Sequence, residues 1–203
     1  VRENYKFIDN KSMLTEVNDV GEKISQNKQD ELVELVANLS KNCDVLVISG
    51  SLPQGIESDY YRRLFSVAAP NTLKIADTEG AKLLAALQTD LDLVKPNKDE
   101  LENTLKQEFK SRDDLLKGCY SLLDKGAKRV LLSLGKKGAI ITDGTKNYYC
   151  KSINVAINST VGAGDGMVAA AAMMLEQGGS LDELLRAGVA AGTATVTTFG
   201  CIS

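Results

Sequence analysis

The sequence predicts an α/β fold: a mostly parallel sheet with helices packed on its faces. Short apolar runs of strand length alternate with amphipathic segments of helical period along most of the chain. The links that would leave the carboxyl ends of those strands are polar or glycine-rich. With 203 residues, 43% of them apolar, the chain has enough material to bury the core such a sheet requires.

Each element follows from its pattern. Residues 1–24 alternate loosely, as in "YKFIDN" and "MLTEVND", and read as two or three short strands with exposed faces. Leu32, Leu35, Val36 and Leu39 recur at three-and-four spacing across "QDELVELVANLSKN", an amphipathic helix, and "DVLVIS" after it is a buried strand. "DYYRRLFSVAAP" predicts a helix leading to the strand "LKIAD", and "EGAKLLAALQ" a helix leading to "LDLV". Helices near 98–106 and 111–125 lead to "RVLLSL". "GAIITD" and "NYYC" form a hairpin around Asp143-Gly144. Two helices, 164–177 and 181–198, finish the chain on either side of Gly178-Gly179. The expected division is residues 1–24 as a small β unit with its return and residues 25–203 as the α/β core.

Composition narrows the function. A net charge of -3 with dispersed Lys and Arg argues against nucleic acid as a partner and favours small molecules. No apolar run reaches the roughly 18 to 20 residues of a membrane-spanning helix, and "VRENYKFIDN" has no apolar signal core, so no membrane partner and a cytoplasmic location are expected. Histidine is absent, which leaves Asp, Glu, Lys, Tyr or Cys for proton transfer. Cys43, Cys119, Cys150 and Cys201 are widely spaced and read as free thiols.

In an open sheet of this kind, ligands gather beyond the carboxyl ends of the strands. In "STVGAGD", Gly162 and Gly164 let the backbone turn sharply, and the helix that follows leaves its first amides unpaired. Those amides would hold a phosphoryl group while Asp165 takes a proton from an attacking hydroxyl. By itself the stretch also describes a glycine turn whose acid complements the helix dipole. In "KPNKDELE", with Pro96 opening a helix, Asn97 and Glu100 share its first turn. There Glu100 suits a magnesium ion held through water, or is simply a solvated helix start. "SLGKKG" offers Ser133, Gly135 and Gly138 to a flat or phosphorylated ligand, or makes a tight turn with two exposed lysines. "GSLPQG" places the hydroxyl of Ser51 at a strand exit with the same ambiguity. Neither GxxxxGK[ST] nor GxGxxG occurs.

Taken in this order, "VISGSLPQG", "KPNKDELE", "LLSLGKKGAIIT" and "STVGAGDGMVAA" closely resemble the ribokinase-like PfkB family of carbohydrate kinases. The resemblance implies a three-layer sandwich with a mostly parallel sheet and a small β lid, and ATP-dependent phosphorylation of a sugar or sugar phosphate with Mg2+. It implies Asp165 as catalytic base and Gly162, Ala163 and Gly164 as the anion hole. Lys95, Asn97, Ser133, Gly135, Lys136, Gly138 and Gly164 would contact the nucleotide, and Glu100 the magnesium through water. Many members bind a monovalent cation such as K+, and Ser159 and Val161, with Thr195 and Gly200, fall at that place.

"VRENYKF" followed by "LTEVNDVG" resembles the branch of 1-phosphofructokinases and tagatose-6-phosphate kinases. The resemblance then implies that Arg2 and Ser51 hold the substrate's existing phosphate, with fructose 1-phosphate the first expectation, and that two copies pair through their lid strands. Gly166 departs from the serine that commonly follows GAGD, an expected effect on local helix stability only. Family members are longer, and the chain is expected to be a piece of such a protein without its N-terminal sugar-binding segment, inactive alone.

Overall fold

The computed structural model describes residues 3–8 and 14–198. Strands β1 (Asn4–Ile8) and β2 (Leu14–Asn18) pair antiparallel as a separate two-stranded sheet, the only strands among the described residues of 1–24. The main sheet has six strands in chain order: β3 (Val45–Ser49), β4 (Leu73–Asp77), β5 (Leu93–Val94), β6 (Val130–Ser133), β7 (Ala139–Thr142) and β8 (Asn147–Cys150). β3 to β6 are parallel, and β7 and β8 close the sheet antiparallel.

Sequential order follows from helical crossovers of one hand, which put the intervening helices on one face. These are α2 (Tyr60–Ser66), α3 (Gly80–Ala86), α4 (Lys98–Leu105) and α5 (Arg112–Leu123). Tyr61, Phe65, Leu83, Leu101 and Leu122 pack there on Ala76, Val94, Val130, Leu132 and Ile140. On the other face α6 (Ala163–Glu176) and α7 (Leu181–Val196) set Met167, Ala171, Leu184 and Val189 on Ile75, Leu93, Leu131 and Ile141. Neighbouring residues such as Leu131 and Leu132 thus serve opposite cores, the period of two of a strand buried on both faces.

Three details differ from the sequence expectation. α2 ends at Ser66 because the amide of Ala69, the residue before Pro70, donates to the Ser40 hydroxyl at 3.0 Å instead of continuing the helix. β5 shrinks to two residues because the Asp92 carboxylate accepts from the Lys74 amide and from Lys128, both at 2.8 Å, and interrupts the ladder. In α1 (Gln26–Leu39) it is Val33 and Val36 that pack on the core, while Leu32, Leu35 and Leu39 are exposed. β3 is the sheet's edge, and among the described residues nothing lies beyond it to receive that leucine stripe.

The α6–α7 contact explains Gly166. A Cβ there would stand 2.6 Å from Thr195 Oγ1, inside any real carbon–oxygen contact. Buried Thr195 donates its hydroxyl to the Ala191 carbonyl at 2.9 Å. The glycine is therefore a packing requirement between two helices, not a local adjustment of one.

Candidate active site

The strand exits meet at one rim. The Gly50 amide donates to the Asp77 carbonyl at 3.1 Å, and the Thr78 hydroxyl to the Gly50 carbonyl at 2.9 Å. These bonds stitch the β3 and β4 exits together, and Ser51, next in the chain after Gly50, is exposed. Across the rim Lys95, buried just past β5, reaches Asp77 Oδ1 at 3.0 Å. Burial pushes the Asp77 carboxyl above its usual range; the Lys95 ammonium opposes this and the Asp165 charge adds to it. Sequence reasoning gave Asp77 no role. An aspartate at a strand exit has no local signature, and its meaning appears only when Lys95 stands opposite.

Gly164 belongs to the same group. A Cβ on it would come within 3.2 Å of Lys95 Nζ, so the missing side chain leaves the ammonium facing the start of α6. Gly162, at φ 79, turns the chain into that helix, which has no side-chain cap. The Gly162 carbonyl accepts the Gly166 amide at 2.8 Å, and the Ala163 amide reaches back to Thr160 at 3.4 Å. Asp165, in the first turn, is exposed. An ammonium and uncapped amides thus stand beside a solvent-facing carboxylate, the charge pattern that suits an anion and a proton acceptor.

Asn97 is the N-cap of α4, so Pro96 precedes the helix rather than opening it. Asn97 Oδ1 accepts from the Glu100 amide at 2.9 Å, and Glu100 Oε2 accepts from the Asn97 amide at 2.7 Å. One carboxylate oxygen of Glu100 is spent on this reciprocal cap. Desolvation raises its carboxyl above the usual range, opposed by the Asn97 amide and Lys95, with Asp77 and Glu79 adding to the rise. Among the described residues no three His, Cys, Asp or Glu side chains converge to cage a metal directly. The Glu100 carboxylate, with Asp77 and Glu79 acting on it electrostatically, is chemically suited to a hydrated magnesium ion.

The Ser133 amide donates to the Pro96 carbonyl at 3.0 Å, which ties the β6 exit to the α4 cap. Gly135, at φ 55, has open space where a side chain would be, as a ligand-facing position requires. Gly138 is glycine for another reason: at φ 97, a Cβ would lie 2.0 Å from the Cys150 carbonyl, so it serves the approach of β8. Asn97, Ser133, Gly135 and Lys136 also line a cleft of about 730 Å³ that opens toward α5; Lys95, Gly138, Gly164 and Asp165 do not. Ser159 and Asn158 donate their amides to the Val196 carbonyl, at 3.4 and 2.8 Å, and the Ser159 hydroxyl accepts from the Val161 amide at 3.2 Å. Ser159 and Val161 are thereby held beside the end of α7, which carries Thr195. Arg2 and Gly200 lie outside the described residues. Cys119 is buried, its thiol pushed up to about 12, and is chemically inert.

A family model for the pfkB family of carbohydrate kinases matches residues 2–203. ATP-dependent 6-phosphofructokinase isozyme 2 of Escherichia coli is 37% identical over 183 residues, 89% of this chain and 59% of that protein. The 1-phosphofructokinase of Borreliella burgdorferi is 35% identical over 96% of this chain and 63% of its own. D-tagatose-1-phosphate kinase of Bacillus licheniformis is 35% identical over 89% and 60%. Among solved structures, Escherichia coli phosphofructokinase-2 in complex with potassium superposes with a TM-score of 0.86 at 35% identity, over 94% of this chain and 62% of that one. Arabidopsis thaliana ribokinase, with TM-score 0.73 and 22% identity over 98% and 64%, shares the fold. The chain thus spans about three-fifths of the length of the relatives it matches.

Proposed function

Because the chain belongs to the pfkB family of carbohydrate kinases, we propose that it forms the nucleotide- and phosphosugar-binding core of an ATP-dependent kinase of ketohexose phosphates. Fructose 1-phosphate is the first candidate, giving fructose 1,6-bisphosphate; tagatose 6-phosphate and fructose 6-phosphate follow. The observation that carries the reading is the grouping of the Lys95–Asp77 pair, side-chain-free Gly164 and solvent-facing Asp165 at one rim of the sheet.

Asp165 accepts the proton of the attacking sugar hydroxyl, work that no histidine in this chain could share. The amides at Gly162 to Gly164 and the Lys95 ammonium hold the transferring phosphoryl group and offset its charge. Asp77 keeps Lys95 aimed at that position from below. ATP supplies the phosphoryl group and Mg2+ offsets the charge of its phosphates. In this reading Glu100 would hold the ion through water, and Asn97, Ser133 and Gly135 would orient the nucleotide. Ser51, with Arg2, is assigned the phosphate already on the sugar. A bound monovalent cation such as K+ is assigned to Ser159 and Val161; a solved relative was obtained with potassium. Pairing through the lid is favoured by Tyr5 and Val17, cross-strand partners on β1 and β2 that are each 53% exposed. Phosphofructokinase-2 of Escherichia coli also has a tetrameric inhibited form, an assembly larger than that pair.

The test is a coupled ADP-release assay on the protein that carries this chain, comparing the three phosphosugars with free fructose, ribose and adenosine. Strong preference for a ketohexose phosphate is the expected result. Equal or better use of an unphosphorylated acceptor would refute the assignment.

A further inference from the structure

The loop of residues 77–80 carries Asp77 and Glu79 from β4 into α3, and hydrogen bonds hold it from two sides. On one side it is joined to the exit of β3, through the Gly50 amide on the Asp77 carbonyl and the Thr78 hydroxyl on the Gly50 carbonyl. On the other side α4 grips it. The Asn103 side-chain amide donates to Glu79 Oε2 at 3.2 Å, and Thr104 Oγ1 accepts the Gly80 amide at 2.8 Å. Glu100 precedes these two residues by three and four positions, so the side of α4 that carries the Glu100 carboxylate is also the side that holds the loop.

Thr104 is the buried member of this pair. Its hydroxyl donates to the Glu100 carbonyl at 2.7 Å, which engages the proton along the helix and leaves the oxygen lone pairs for Gly80. The Gly80 amide is the first of α3, whose N-cap residue Glu79 supplies no side-chain cap. Thr104 therefore satisfies an end donor of a helix that is not its own. No motif in the sequence singles it out, because its partner lies on another element.

The link bears on the reacting charges. Asp77, three residues before Gly80, holds Lys95 at 3.0 Å. The Glu100 carboxyl is raised first by burial, and the charges of Asp77 and Glu79 add to the rise. Both effects depend on distance, so a loop free to drift would change the aim of Lys95 and the charge felt at Glu100. We propose that Thr104 is a positioning residue for phosphoryl transfer, holding the 77–80 loop on α4 so that Asp77 aims Lys95 and both loop carboxylates keep a fixed distance from Glu100. This role rests on the kinase reading.

Its test compares Thr104→Val, which keeps the shape and removes the hydroxyl, with Thr104→Ser, which keeps the hydroxyl, in the protein that carries this chain. In the valine variant the free Mg2+ giving half-maximal rate should rise and kcat should fall, each by about tenfold, with KM for the phosphosugar unchanged. The serine variant should restore both. A valine variant that melts earlier but keeps the magnesium dependence of the parent would overturn the proposal, because loss of packing alone lowers stability without touching the ion. Amide exchange in the unmodified protein needs no variant. ADP with Mg2+ should slow exchange at Gly80 and Asn97 together, and slowing at Asn97 alone would break the link. A protein whose amides ignore ADP with Mg2+ and which phosphorylates no acceptor loses the kinase reading and this role with it. A working kinase indifferent to Thr104→Val loses only the role.

Discussion

Gly166 is the position where the packing argument can be pushed hardest. Replacing it with alanine puts a methyl carbon 2.6 Å from Thr195 Oγ1 and 3.4 Å from the Ala191 carbonyl oxygen. Either α6 and α7 move apart by several tenths of an ångström, or Thr195 leaves its rotamer and its 2.9 Å bond to Ala191. Overpacking of this kind costs about 1 to 3 kcal/mol. Removing glycine from a helix interior returns about 1 kcal/mol. The net expectation is a loss of roughly 0 to 2 kcal/mol for Gly166→Ala. Gly166→Ser loses more, because its hydroxyl also needs a partner in the contact. At about 2 to 4 °C per kcal/mol for a chain of this size, the melting temperature falls by up to about 8 °C for the alanine variant. In a Thr195→Ala background the obstruction is gone, and Gly166→Ala should become neutral or stabilising through its helix propensity. Urea unfolding followed by far-ultraviolet circular dichroism on the four proteins of the cycle measures the coupling, expected at about 1 to 3 kcal/mol. A cost for Gly166→Ala that is the same in both backgrounds would refute the contact as its cause.

Other outcomes are expected at the rim and at the edge. Asp165→Asn should retain ATP binding and lower kcat by about 10²-fold to 10⁴-fold in steady-state assays of the protein carrying this chain; turnover near that of the parent would remove Asp165 from the chemistry. Arg2→Ala should raise KM for the phosphosugar, not for ATP, with a loss of about 1.5 to 3 kcal/mol. Val47→Lys on β3 should delay light scattering on heating, because Val47 is 40% exposed on an edge strand; unchanged aggregation would place the sticky surface elsewhere. The pH response has two signs. Asp114 and Glu183 are held below the usual carboxylate range, first by bonds from their capping serines Ser111 and Ser180, so their contribution is present above the unfolded pKa and is lost as pH falls through the folded one. Asp77 and Glu100 are raised, first by burial, so their charged forms weigh against folding above the folded pKa, and that penalty fades as pH falls through it. Denaturation midpoints taken from pH 7 downward should hold or rise slightly before they drop below the usual carboxylate range; a monotonic fall from neutrality would contradict the raised pair.

The alternation of apolar strands with amphipathic helices was legible because both periods are local, and the order of the strands in the sheet follows the order of the elements. Spacing also found Asn97 with Glu100, yet could not show that the two bond to each other's backbones. The Asp77–Lys95 pair and the stacking of Arg112 on Tyr149 join residues far apart in the chain, and no pattern within one element announces them. Gly135 and Gly138 look alike in "SLGKKG", but one faces open space and the other the Cys150 carbonyl. The three-and-four spacing in α1 predicts a helix, but not that Val33 and Val36 rather than Leu32, Leu35 and Leu39 face the core, because that depends on what neighbours an edge strand.

The reciprocal cap at the start of α4 makes the Asn97 amide a natural spectroscopic reporter. Its proton points at Glu100 Oε2, while the adjoining Pro96 carbonyl is held by the Ser133 amide at the exit of β6. Whatever draws on the Glu100 carboxylate, a proton or a hydrated ion, must lengthen or polarise that 2.7 Å bond and shift one amide resonance. A single cross-peak can therefore be followed through a pH titration and a magnesium titration, and the direction in which it moves separates the two.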